Sequence, residues 1–184
     1  MSPLHKKLAL QFGVLSTLVT VIYVLGIYIV DESLFSSMIG RLAVFFGTLL
    51  VLILAVLQFK KENEGYATFR EAFSAFMLPF IFTSVLGLVF NLTFYNFIDA
   101  ELADRNAERQ FDQMLEMPED KLQEVMKFLG VATTDELNTL LHDEADESKT
   151  VVGQLKGGGM GMVFFAVLGL IVAAVTKKNR PEFD

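Results

Sequence analysis

The sequence has 184 residues, of which 53% are hydrophobic, 20% are charged and none is cysteine, and it carries a formal net charge of −7. A mean hydropathy of +0.47 is more apolar than one soluble core can use, which disfavours a soluble one-domain enzyme. The absence of cysteine excludes disulfides, haem attachment, thiolate metal sites and cysteine nucleophiles, and the acidic balance, with no nucleic-acid motif to offset it, excludes a nucleic-acid partner held by a broad basic face.

All 15 basic and 22 acidic residues lie outside four stretches, residues 8–30, 42–59, 72–98 and 157–176. About 20 helical residues cross the roughly 30 Å hydrocarbon core of a bilayer, so each stretch is long enough to span one. The expected fold class is therefore all-α: a polytopic membrane protein with four transmembrane helices and the lipid bilayer as its first partner. Lys6 and Lys7 before the first stretch resemble the start of a secretory signal. The run is too long for an h-region, and Asp31-Glu32-Ser33 follows it without an A-x-A-like cleavage signal, so an uncleaved helix is predicted.

The second stretch ends at Lys60-Lys61, and Thr68-Phe69-Arg70-Glu71 then fits a capping box, which starts the third helix near Phe69. Pro79 leaves the carbonyl of Ala75 without its usual donor and predicts a kink. Ser84, Gly87, Asn91 and Tyr95 recur at i, i+3, i+7 and i+11 and share one face. That face reads as a helix-packing seam of small and hydrogen-bonding residues; the alternative is a polar lining for a substrate path. Asn91-Leu92-Thr93 spells a glycosylation acceptor inside a span and is read as accidental. With no proline between Pro79 and Pro118 and no glycine soon after Gly87, this helix is expected to continue to about Glu116, carrying Ala107, Phe111, Met114 and Leu115 as an apolar stripe.

A further helix is predicted between Pro118 and Gly130, with Glu119 and Asp120 in its first turn and Leu122, Val125, Met126 and Leu129 on one face. A third begins at Thr133 or Thr134, again of capping-box type, with Leu137, Leu140 and Leu141 aligned. These stripes can bury one another, so residues 99–156 are expected to form a small helical cap between the third and fourth spans. His142 to Thr150 reads as a solvated linker, and His142-Asp143-Glu144 with Asp146 and Glu147 lacks the EF-hand pattern. Gly157-Gly158-Gly159-Met160-Gly161 lacks the Lys and Ser/Thr of a phosphate loop. Gly157 and Gly161 do match G-x-x-x-G, a close-packing or self-association signal. The two histidines, His5 and His142, are read on opposite sides of the membrane and assemble no triad, so no catalytic residue, metal or cofactor is expected.

Basic residues set the orientation. Lys6, Lys7, Lys60, Lys61, Arg70, Lys177, Lys178 and Arg180 fall on one side, whereas the short opposite loop, Asp31 to Arg41, has only Arg41. The 99–156 connector sets six basic residues among 15 acidic ones. Both termini and the Lys60–Glu71 loop are thus placed in the cytoplasm, and the acidic connector outside it.

The segment Lys60-Lys61-Glu62-Asn63-Glu64-Gly65-Tyr66-Ala67-Thr68-Phe69-Arg70-Glu71-Ala72-Phe73 resembles the central signature of domain of unknown function family 4199, a set of bacterial membrane proteins. The pattern extends over nearly the whole chain: two helices, a basic loop, a long third helix running into an Asp-containing acidic segment, and a last helix followed by Lys-Lys. Family members commonly have proline just after that Asp; here Ala100 follows Asp99, which favours the continuous helix. The resemblance implies a bacterial inner-membrane location with the cap in the periplasm, and it brings no known activity or site residue. The expected role is a structural or interaction module that presents the acidic cap to a protein partner. The alternative is a small transporter or homo-oligomeric channel subunit using the Ser84/Asn91 face.

Overall fold

A computed structural model describes residues 2–180 of the chain. Helix α1 (Pro3–Val30) is followed by a 3₁₀ turn (Glu32–Phe35), α2 (Met38–Glu62) and α3 (Phe69–Thr93), which runs into a π-turn at Phe94–Ile98. Then come three shorter helices, α4 (Leu102–Leu115), α5 (Glu119–Leu129) and α6 (Thr134–Ser148), and finally α7 (Val151–Thr176). Among the described residues there is no strand, only an isolated bridge between Ala67 and Lys178.

Four helical segments are long and apolar enough to cross a membrane, and all four are apolar on their outer faces as well. Ile22, Ile29, Met160 and Val175 are 68%, 80%, 77% and 80% exposed. A helix apolar all round belongs in lipid, so these surfaces mark a membrane protein. The four helices extend beyond the charge-free stretches because Lys and Glu at their ends continue the backbone ladder where water can reach the side chains.

Helix α3 is the hub, packed against α1, α2 and α7. Its buried residues Ala72, Ala75, Phe76, Met77 and Phe80 meet Leu52, Val56 and Phe59 of α2, Leu8 of α1 and Ala173 of α7. Phe80 stacks on Phe165 at 4.4 Å between centroids. Small residues permit this closeness: a Cβ on Gly13 would lie 2.8 Å from Cβ of Phe82, so α1 and α3 touch where α1 has no side chain.

A second core joins the three short helices. Ala103, Ala107, Met126, Leu137, Leu141 and Ala145 are buried together, with Tyr95, Phe111, Met114, Leu122 and Leu129 against them. The predicted stripes thus meet, apart from Leu115, which is 45% exposed, and Val125 and Leu140, which stand outside this core. The Pro118/Gly130 limits hold, with Gly130 closing α5 at φ +77, and Thr133 caps α6 by accepting from the Glu136 N–H.

Three expectations are corrected. The third helix does not run on to Glu116. Its backbone turns to an extended conformation at Asp99, whose carboxylate accepts from the Glu101 N–H and offers the chain a local alternative to the helical ladder. The His142–Thr150 segment is no linker, because α6 continues to Ser148 with Ala145 seated in the second core. Helix α7 begins at Val151 rather than Gly157, capped by Thr150, whose hydroxyl accepts from the Gly153 N–H.

Candidate functional site

The densest polar cluster lies where the α1–α2 turn meets α4. The break at Asp99 aims α4 back across the end of the bundle and brings Arg105, Asn106 and Arg109 over Glu32 and Ser36. Arg105 is the centre. It donates to Asp99 at 2.6 Å and 3.2 Å and to both oxygens of Glu32 at 3.0 Å and 3.3 Å. Arg109 forms a second ion pair with Glu32, and the Tyr28 hydroxyl donates to Asp99 at 3.0 Å. Beside them the Ser36 hydroxyl donates to the carbonyls of Asn106, backbone and side chain, and Arg41 donates to Gln110 at 2.9 Å. Lys149, between α6 and α7, makes a separate tie to Asp104 at 2.8 Å.

The charges here satisfy one another. The Arg105 guanidinium holds the carboxyl of Asp99 below its ordinary range, and Arg105 with Arg109 does the same for Glu32. In return Asp99 and Glu32 push Arg105 further up, and Asp104 raises Lys149. Fork-to-fork guanidinium–carboxylate bonds are directional, so the cluster fixes α4 in angle as well as position. Its chemistry is that of a clamp. Because Arg105 is a third exposed, Arg105→Met is expected to cost about 1–2 kcal/mol. Faster amide exchange in α4, with the bundle unchanged, would be its signature.

A pH dependence follows from the same groups. Carboxyls depressed in the folded state stabilise it fully above their unfolded pKa near 4, and the contribution fades as the pH falls through the folded values. Docking of α4 is therefore expected to be constant above about pH 5 and to loosen below about pH 4. Limited proteolysis of reconstituted protein at pH 7 and pH 3.5, each with a protease active at that pH and normalised to its cleavage of an unfolded chain, checks this; equal normalised cleavage within 99–148 would contradict it.

Against this clamp lies a cavity of about 290 Å³ whose lining includes Arg41, Tyr95, Asn106, Gln110, Glu144 and Ser148. Tyr95 is the one member of the predicted α3 face that reaches it. Ser84 donates its hydroxyl to Phe80 within its own helix at 2.9 Å, Gly87 has open space beside it, and the Asn91 amide donates to Gln154 of α7 at 3.3 Å. The four residues therefore make separate contacts. Gly157 and Gly161 also face open space. Pro79 is buried inside α3, where the Thr83 hydroxyl donates to its carbonyl and to that of Gly13.

Thr68 and Glu71 form the complete capping box. The Glu71 carboxylate accepts from the Thr68 N–H at 2.8 Å, and the Thr68 hydroxyl accepts from the Glu71 N–H at 3.3 Å. Around this box the Lys60–Phe73 segment clasps the end of α7 and the residues just after it. Ala67 and Lys178 exchange backbone hydrogen bonds of 2.9 Å and 2.7 Å, Lys60 donates to the Thr176 carbonyl, Arg180 pairs with Glu64, and Lys178 lies over the Tyr66 ring. Gly65, at φ +85, makes the turn that permits this return.

A family model described as "Protein of unknown function (DUF4199)" matches residues 9–178. The chain belongs to this family. The DUF4199 match takes in α1 from residue 9 onward, the other three membrane-length helices, the Lys60–Phe73 clasp and the charged clamp of this chain. No curated protein matches the chain, and no solved structure matches it either.

Tyr28, Glu32, Asp99, Arg105 and Arg109 escaped the reading of the sequence. The signal was there in part: two arginines four residues apart, in a segment otherwise dominated by carboxylates, share a helical face and call for anionic partners.

Proposed function

We propose that this DUF4199 protein is a membrane-anchored interaction module that presents its acidic helical unit, α4 to α6, to a basic protein partner. One observation supports the reading above others: the unit sorts its charges by direction. Of the 15 carboxylates in residues 99–156, which hold this unit, 13 are exposed, all but Asp99 and Asp104. Arg105, Arg109 and Lys149 instead turn inward to the clamp and to the α4–α6 contact. The outward surface is thus more acidic than the sequence average, a field that steers a basic partner and repels anionic lipid.

With the basic flanks of the four spans held on the cytoplasmic side, the unit stands outside it, in the periplasm if the membrane is a bacterial inner membrane. The reading assigns the chain no reaction. The transporter alternative draws less support, since Asn91 is engaged in an α3–α7 contact. In-membrane crosslinking tests the proposal. A recurrent partner on the unit, lost when Glu108, Asp112, Glu119 and Asp120 are changed to Lys and weakened by high salt, is the expected result. Crosslinks that ignore both changes would contradict it.

A further inference from the structure

At the opposite, basic end of the bundle, a cavity of about 360 Å³ is lined by Ser2, His5, Arg70, Glu71 and Ser74. We propose that it seats the phosphate of one anionic phospholipid. Arg70 supplies the charge: it is exposed, with no ion pair among the described residues, although four other basic side chains at this end are engaged, Lys7 with Glu62, Arg180 with Glu64, Lys60 with the Thr176 carbonyl and Lys178 with the Tyr66 ring.

The walls are preorganised. His5 is 93% buried by its 7% exposure, tilted against Phe59 at 4.3 Å, and its Nδ1 lies 2.7 Å from the Ser2 hydroxyl. The Glu71 carboxylate shares the cavity, where one of its oxygens accepts from the Thr68 N–H and hydroxyl, and the Ser2 hydroxyl is engaged with His5, which leaves the Arg70 guanidinium and the Ser74 hydroxyl to face an incoming oxyanion.

What favours a lipid over a free anion is the surface beyond the cavity. Arg70 and Ser74 head a stripe that continues at helical spacing through Leu78, Ile81 and Val85, and Ile81 and Val85 are 41% and 59% exposed. An acyl chain lying on that stripe places its headgroup at the level of Arg70. Basic pockets between membrane helices at headgroup depth are general sites for anionic lipid. The site depends on the bundle and not on the role of the acidic unit.

Native mass spectrometry of the full chain, with phosphatidylglycerol or phosphatidylcholine added to the detergent, tests the proposal. One phosphatidylglycerol is expected to be retained in preference, and Arg70→Gln should lower its retention about fivefold. Lys61→Gln, an equal charge change at the same end, should leave it unchanged. Ser74→Phe, which fills the cavity without altering charge, should also lower it, so the test does not rest on one variant. Equal loss in the Arg70 and Lys61 variants, full retention in Ser74→Phe, or displacement of the lipid by millimolar inorganic phosphate would each overturn the assignment.

Discussion

Leu137→Ala is expected to unfold the acidic helical unit while leaving the membrane bundle intact. Leu137 is fully buried at the centre of the second core, and cutting a buried leucine to alanine costs about 3 kcal/mol through lost transfer energy and the cavity left behind. The unit is small, and few other large side chains are fully buried in it, so that cost is a large part of what holds it together. Amide exchange reads the outcome. Protection should vanish across α4 to α6 and persist around Leu52, Ala55 and Val56 of α2. Loss of protection in both places would mean that the two cores form one cooperative unit.

The second large effect is expected from Gly169→Leu. A Cβ at this position would lie 2.9 Å from Cδ1 of Phe76 and 3.3 Å from Cε2 of Phe73, and Phe76 is fully buried, so it has nowhere to move. Leucine adds three more carbons beyond that Cβ. Overpacking of this kind costs about 1–3 kcal/mol, and here it acts on the most extensive contact between α7 and the bundle among the described residues. Unfolding by an anionic detergent should shift to lower concentration, with Gly169→Ala intermediate. Gly161→Leu is the control, because nothing lies within 4 Å of that position, and an equal shift there would show that helix propensity and not packing is being read.

How much of this was legible in the sequence depended on which forces act locally. Four uncharged runs announced four spans because the bilayer acts on every residue of a span alike. The Thr68/Glu71 box and the Gly130 cap are settled within three or four residues, and both were readable. Neither proline nor glycine marks the break at Asp99, so nothing in the local sequence announces it. Aspartate ends the helix here by using its own carboxylate, held in place by Tyr28 and Arg105, and those contacts join residues 71 and six positions apart. The clamp itself was out of reach for the same reason: Glu32 and Arg105 are separated by 73 positions. Helix α6 was cut short because His142 to Ser148 is polar by composition, whereas Ala145, a single small residue on the inward face, is enough to seat it.

The central claim is that the acidic unit and the basic clasp lie on opposite sides of a membrane, with the acidic unit outermost. The sequence has no cysteine, so a single introduced thiol reports without background. Phe128, 89% exposed on α5, and Lys61, exposed at the end of α2, are suitable positions. In intact cells whose outer layers admit the reagent, a membrane-impermeant maleimide should label Phe128→Cys at once and Lys61→Cys only after the membrane is broken. Labelling of Lys61→Cys in intact cells, with Phe128→Cys protected, would contradict the account.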